Sequence, residues 1–418
     1  MATRIKRLQE KYQDIPFPIL LKNELLFYGV RYTPELGGAG EWAIPNYQPY
    51  RFQKGEENPT GKEYINIPYL ITLAESSLVR VFGNGQSPYR IVGNRNSYLL
   101  MEDDEEIAEV AFQERPHWQW KETRDATPMS QIGISQHGDM LIVNPTPGCE
   151  YFLYQDAETG ESYRCIFCRY GAPDQRTRRL GQEIHKGVIN PEAIERVMEV
   201  CEEALPEITH IYLVGGSMVD IDEEARRYIQ LAEAVEKVNH AGLPVCCGSS
   251  SLKKDALLKL SDAGVSGVCF NLEVWDIDLW KKVCPGKERF VGREHWIQGL
   301  IEGVEIFGKG NVMSAFVAGV EFIIDKGLQG MEDTLESCLQ GTEWLLQQGI
   351  LPIYSLQWPP TSITLEDDML SFFQDYFLRL NMEQFKLRKK YNLTFPNNFV
   401  CHRCTYMQLE CDFDHFCR

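Results

Sequence analysis

The sequence predicts an α/β chain built as a partial (β/α)6 barrel, with an α+β domain before it and a cysteine-rich extension after it. Three observations carry that expectation. From Asp139 onward a rhythm of apolar strand, loop and amphipathic helix repeats six times, which is the signature of a parallel sheet with crossover helices. Residues 1 to about 135 instead mix aromatics, glycines and prolines in short β-rich runs separated by turn signals. The last eighteen residues hold Cys401, Cys404, Cys411 and Cys417, too many for packing alone. The expected domains are therefore 1–135, 136–390 and 391–418.

In the first domain, YINIPYLITLAESSLVRVFGNG and SPYRIVGNRNSYLLMEDDEEIAEVAF read as strands joined by turns. The acidic run Glu102 to Glu106 reads as a solvated turn rather than a metal site, because like charges in sequence repel and seek water. The expected role of this domain is a substrate-recruiting module or a lid.

The barrel strands are expected at Met140–Val143, Ile208–Val214, Pro244–Ser249, Gly267–Leu272, Val312–Phe322 and Pro352–Leu356. Asn190 and Pro191 form an N-cap and first-turn pair ahead of one helix. Further helices are expected near residues 222–240, 253–263, 293–307, 332–348 and 366–389. Barrels of this kind place their chemistry in loops at the C-terminal ends of the strands, so candidate site residues are expected in those loops.

After the first strand come Cys149, Cys165 and Cys168, the last two a C-x-x-C pair with Phe167 inside it. Two thiolates two residues apart reach one metal from a single turn, and a third completes a three-point attachment. A cubane cluster so held keeps one iron free, whereas zinc wants a fourth ligand, and buried cysteines without metal are the plain alternative. Gly215, Gly216 and Ser217 follow the second strand, where paired glycines let backbone approach a ligand or simply turn the chain. Ser249, with Ser250 and Ser251, closes the third strand as ligand contact or helix cap. Glu273 closes the fourth as a polar ligand contact or the partner of a lysine. Arg293 opens the next helix and offers a fork of donors suited to a carboxylate. Gly319 and Glu321 end the fifth strand, and Gln357, Trp358, Pro359, Pro360 and Thr361 form a rigid rim after the sixth. Cys201, Cys246, Cys247, Cys269 and Cys338 fall in apolar elements and read as core. The tail cysteines suit a second iron–sulfur cluster or a structural zinc, with His402 and His415 as further ligands. Arg169, Arg176, Arg178, Arg179 and Lys186 leave the cysteine loop as a basic run, either gripping an anionic substrate or simply solvated.

Composition narrows the partners. The net charge is −18, from 60 acidic against 42 basic residues, which disfavours nucleic acid and anionic membrane. Thirteen cysteines without an apolar leader argue for reduced thiols in the cytoplasm and for metal ligation rather than a disulfide framework.

Six strand–helix units, three cysteines after the first strand, C-I-F-C with an aromatic before the last cysteine, and G-G-S after the second strand together resemble the radical S-adenosylmethionine (SAM) superfamily over residues 138–360. Its usual spacing is C-x3-C-x2-C; here the first gap is fifteen residues, Glu150 to Arg164. The resemblance implies a [4Fe–4S] cluster on Cys149, Cys165 and Cys168 whose open iron chelates the methionine moiety of SAM. It implies Phe167 against the adenine, Gly215 to Ser217 at the methionine amino group, Glu273 at the ribose, and Gly319 to Glu321 along the adenine. The activity implied is reductive cleavage of SAM to a 5′-deoxyadenosyl radical that takes hydrogen from a small metabolite or peptide, with electrons from a donor such as flavodoxin or ferredoxin. The tail resembles auxiliary-cluster extensions of that superfamily. The competing expectation is a zinc-stabilised, non-catalytic binding or scaffold protein on the same barrel.

Overall fold

The computed structural model describes residues 3–146, 148–173, 175, 189–322, 330–356, 367–395 and 400–417. The chain forms two compact units, one of residues 1–116, 361–381 and 401–418, the other of residues 117–360 and 382–400. Arg176, Arg178, Arg179, Lys186 and the rim from Gln357 to Thr361 lie outside the described residues.

The first unit opens with α1 (Arg4–Lys11), α2 (Phe17–Tyr28) and α3 (Pro34–Ala39). Helix α2 is buried along nearly its whole length, Lys22 and Glu24 included, as the apolar run FPILLKNELLFY demands. Antiparallel ribbons follow: β1 (Tyr47–Arg51) with β2 (Tyr64–Pro68), β3 (Leu70–Thr72) with β4 (Leu78–Arg80), and the sheet of β5 (Tyr89–Asn94), β6 (Ser97–Glu102) and β7 (Glu105–Val110). The acidic run departs from the expected solvated turn at one end. Asp103 and Asp104 are exposed, but Glu102 is buried and accepts the amides of Arg4 and Ile5. The two-residue alternation of β6 turns Glu102 to the inner face with Tyr98 and Leu100, where the amino-terminal end of α1 supplies donors.

The second unit is the barrel. A seven-stranded sheet runs, in reverse chain order, from β14 (Leu351–Leu356) through β13 (Val312–Ala318), β12 (Gly267–Cys269), β11 (Val245–Gly248), β10 (His210–Val214) and β9 (Met140–Val143) to β8 (Ser135–His137). Neighbours from β9 to β14 pair parallel, and only β8 is antiparallel to its partner. The crossover helices include α4 (Pro191–Ala204), α5 (Ile221–Val238), α6 (Lys254–Asp262), α7 (Ile277–Val283), α8 (Pro285–Phe290), α9 (Arg293–Phe307) and α10 (Met331–Gln348). The Asn190 side chain accepts the Ala193 amide at 2.8 Å, which is the cap its sequence position predicts. This is the partial barrel that the strand–helix rhythm implies. Helices α11 (Asp367–Lys390) and α12 (Glu410–Phe416) complete the described chain.

Four strands are shorter than expected, β10 and β11 by two residues each and β12 and β13 by more, and the last two end informatively. Strand β12 stops at Cys269, and the chain rejoins the sheet only as a single bridge between Glu273 and Phe316, with Glu273 at φ 68°. Strand β13 stops at Ala318 because Gly319, at φ 92°, turns the backbone into a short 3-10 turn, Val320–Phe322. Both departures lie at the C-terminal edge of the sheet, where loops carry the chemistry of such folds.

Candidate active site

The fifteen residues between Cys149 and Cys165 fold back on themselves. Asp156 accepts the amides of Glu158 and Thr159 at 3.0 and 2.9 Å, Gly160 occupies φ 71° at the tip, and Tyr163 donates to the Tyr154 carbonyl at 3.1 Å. The insertion is thus a hairpin whose two ends meet. Its aromatics Tyr151, Tyr154 and Tyr163 pack around Phe290 of α8, with ring centroids 5.3, 5.6 and 5.4 Å away. Cys149 is tied to the segment just after the pair, its amide donating to the Gly171 carbonyl at 3.0 Å, while within the pair the Cys168 amide donates to the Cys165 carbonyl at 2.9 Å.

Cys149 and Cys165 are buried and Cys168 is half-buried. Burial, reinforced by Cys165 and Cys168, pushes the Cys149 thiol up to about 12. Cys165 is raised well above the ordinary range, first by a hydrogen bond with Cys284 and then by burial. Burial and Cys165 push Cys168 up to about 11. Three thiols on one loop, of which Cys165 and Cys168 both raise Cys149 and Cys165 raises Cys168, are a donor set suited to a multiply charged cationic centre. The residues present fit a cluster held on three thiolates.

The glycine pair after β10 lies directly against this loop. The Gly216 carbonyl accepts from the Thr146 hydroxyl at 2.6 Å, and the Glu150 amide donates to the Ser217 carbonyl at 2.9 Å. A Cβ on Gly216 would stand 2.6 Å from both the Cα and the amide nitrogen of Cys149. Those are backbone atoms with nowhere to go. Gly216→Ala is therefore expected to cost about 1–3 kcal/mol through overpacking, read as a lowered urea midpoint. Gly38→Ala, with nothing within 4 Å of its new Cβ, is the control and should not lower that midpoint.

Behind Ser217 sits a carboxylate that sequence reasoning missed. Glu224 of α5 is fully buried, accepting the amides of Met218 at 2.8 Å and Ser250 at 2.7 Å and the Ser250 hydroxyl at 3.0 Å. Burial raises it to about 7 against those hydrogen bonds. It ties the ends of β10 and β11 together, so Ser250 is structural. Ser251 is bound to the carbonyls of His295 and Trp296, while the half-buried Ser249 donates to the neighbouring Ser250 carbonyl at 2.8 Å.

Glu273 pairs with a lysine. Lys287 of α8 donates to its Oε1 at 2.7 Å and to the Asn271 carbonyl at 2.6 Å, with both side chains about nine-tenths buried. Arg293 donates to the Trp275 carbonyl at 2.6 Å and lies 5.1 Å from the Trp275 ring; burial lowers it. Phe167 and Val317 pack on a buried cluster that includes Cys165, Cys284 and Val320. Glu321 is buried, raised to about 7 by burial, and accepts from the Gly319 amide at 3.2 Å and the Cys338 thiol at 3.5 Å. Cys201, Cys246, Cys247, Cys269 and Cys338 are buried.

The tail packs within the first unit. Leu78 and Arg80 donate to the carbonyls of His402 and Tyr406 at 3.0 and 2.8 Å. Cys401 and Cys404 bring their sulfurs to 3.8 Å, Cys411 is buried on α12, and Cys417 is half-buried at its end. The two tail histidines are engaged elsewhere: His402 stacks on His415 at 3.8 Å, and both contact Glu75, one at its carbonyl and one at its carboxylate.

No family model matches the sequence. Bacteriochlorophyllide c C-7(1)-hydroxylase of Chlorobaculum limnaeum is 24% identical over 288 residues, which are 64% of this chain and 65% of that protein's length. Among solved structures, methylornithine synthase (PylB) is similar at 16% identity, covering 60% of this chain and 68% of that one with a TM-score of 0.37. A radical SAM methyltransferase from Sphaerobacter thermophilus is similar at 13% identity over 71% of this chain and 76% of that one, with a TM-score of 0.38.

Proposed function

We infer that this chain is a radical SAM enzyme, with Cys149, Cys165 and Cys168 holding a [4Fe–4S] cluster that binds SAM and a small molecule or peptide as the substrate attacked. The observation that supports it best is the 3.0 Å bond from the Cys149 amide to the Gly171 carbonyl, which ties the distant cysteine to the segment that follows the C-x-x-C pair. When bound, the cluster supplies the electron that cleaves SAM to methionine and a 5′-deoxyadenosyl radical. The chain's own residues bind and orient. Gly215 to Ser217 offer backbone to the methionine amino group, Arg293 meets a carboxylate, Glu273 meets the ribose, and Phe167 with Gly319 to Glu321 flanks the adenine. Ser249 is a further polar contact at the same edge.

The electron donor in this reading is flavodoxin or ferredoxin, in the cytoplasm. The acidic balance of the chain disfavours nucleic acid and anionic membrane as partners, and no helix among the described residues is long and apolar enough to cross a membrane. Cys401, Cys404, Cys411 and Cys417 would serve a second cluster or a zinc, and residues 1–135 would recruit substrate or act as a lid.

The test is anaerobic purification followed by iron and sulfide analysis, then incubation with dithionite and SAM while 5′-deoxyadenosine is followed. The expected result is about four iron and four sulfide per cluster and 5′-deoxyadenosine above the no-enzyme level. The rate should rise when the right substrate is added from a panel of peptides and small molecules, among them a bacteriochlorophyllide because of the hydroxylase relative. A colourless protein carrying zinc and making no 5′-deoxyadenosine would favour the scaffold reading instead.

A further inference from the structure

Lys287 is a buried cation that the site has so far used only as a partner. It is 6% exposed, and its ammonium is fixed from three sides: Glu273 at 2.7 Å, the Asn271 carbonyl at 2.6 Å, and the Trp296 ring with its centroid 4.4 Å away. The segment that carries it is sewn to the cysteine loop. Ile166, inside the C-x-x-C turn, donates its amide to the Val283 carbonyl at 3.0 Å. Cys284, the next residue, shares a buried cluster with Cys165. A Cβ on Gly286 would stand 2.5 Å from the Tyr163 carbonyl and 2.6 Å from the Tyr151 ring, so α8 starts hard against the insertion hairpin. Its counter-charge is held as firmly. Glu273 keeps a left-handed backbone, φ 68°, an arrangement that costs of order 1–3 kcal/mol in a non-glycine residue and persists only where its surroundings enforce it.

Burying an ion pair is a poor route to stability, because desolvation offsets the attraction. A pair that is nonetheless retained beside a metal-binding loop invites an electrostatic explanation. We propose that Lys287 is a positioning residue that fixes a positive charge beside the cysteine loop and so eases one-electron reduction of a cluster held there, with Glu273 setting the size of the effect. The inference rests on the cluster reading of Cys149, Cys165 and Cys168. Its physics is direct: the incoming electron adds one negative charge to the cluster, and in a medium of low dielectric a nearby ammonium favours the reduced form while a nearby carboxylate opposes it. The positive charge itself is secure. Burial alone would push the Lys287 ammonium down, but Glu273 holds it above its ordinary value.

The experiment is an anaerobic redox titration of the full chain without SAM, following the electron paramagnetic resonance signal of the reduced cluster, which Cys149→Ala is expected to lose. Lys287→Met should lower the ratio of reduced to oxidised cluster at fixed potential about tenfold, a midpoint about 59 mV more negative for a one-electron couple. Lys287→Arg, which keeps the charge, should stay near the parent. Glu273→Gln, which leaves the ammonium without its counter-charge, should move the midpoint the other way. Opposite signs are the diagnostic, since a loosened site would shift both variants alike. If Lys287→Met does not fold, the Arg and Gln variants still decide: a parental Lys287→Arg with a raised Glu273→Gln supports the role, and an unchanged or lowered Glu273→Gln overturns it. Shifts of one sign in Lys287→Met and Glu273→Gln also overturn it. A parent with no such signal would instead remove the cluster reading, and the inference with it.

Discussion

Cys149→Ala is expected to reduce 5′-deoxyadenosine formation to the level of the no-enzyme control, although fifteen residues separate this cysteine from its partners. The insertion hairpin closes on itself, so Cys149 sits by the Gly171 carbonyl rather than out in a loop. Two thiolates on the C-x-x-C turn cannot hold a cubane in a reactive pose. Cys165→Ala and Cys168→Ala should behave alike, whereas Cys201→Ala, at a buried helix position with burial as its sole perturbation, should alter stability and leave the product rate per cluster alone. Measuring 5′-deoxyadenosine per bound iron after reconstitution separates the cases. Parental turnover in Cys149→Ala would mean that another residue is the third ligand, and Cys284, hydrogen-bonded to Cys165, would be the first to test.

The barrel was legible because its signal is local and repeated. Each apolar run such as HIYLV or VMSAFVA is followed by an amphipathic helix, and α9 matches its expected span, Arg293–Phe307. The cysteine loop was legible for the same reason, since a C-x-x-C turn is a property of four residues. Even the hairpin had a trace in the sequence: Asp156 with Gly160 four residues later is an Asx turn followed by a positive φ.

What escaped is long-range. Nothing local joins Lys287 to Glu273, fourteen residues apart across α7, or Glu224 to Ser250 on a different element. Helices α7 and α8 are only seven and six residues long, below the length at which a 3.6-residue period declares itself. At Glu102 the alternation of its strand overrides the charge repulsion of the acidic run. Its neighbours Tyr98 and Leu100 are buried, and two-residue periodicity puts Glu102 on their face.

The tail shows the same limit with the larger energetic consequence. Asp412 of α12 and Lys22 of α2 lie 390 residues apart in sequence, yet they meet at 2.6 Å with essentially no exposure of either side chain. The Lys22 ammonium also donates to the Thr405 carbonyl at 2.6 Å, and the Ser77 hydroxyl donates to the other carboxylate oxygen. Asp412→Ala leaves a buried ammonium without its counter-charge, for which the expected loss is about 3–5 kcal/mol. Deleting residues 400–418 would remove the same carboxylate, so the metal content of the tail is better tested with single Cys401→Ser and Cys404→Ser variants in the full chain. The double replacement Lys22→Met with Asp412→Leu should recover most of the loss, because an apolar pair of similar volume needs no desolvation to be repaid. Urea unfolding of parent, Lys22→Met, Asp412→Leu and their double completes the cycle. If Asp412→Ala cost less than about 1 kcal/mol, in the range of an exposed ion pair, Lys22 would have found water or another partner, and the carboxylate would not be what fastens the cysteine-bearing tail to α2.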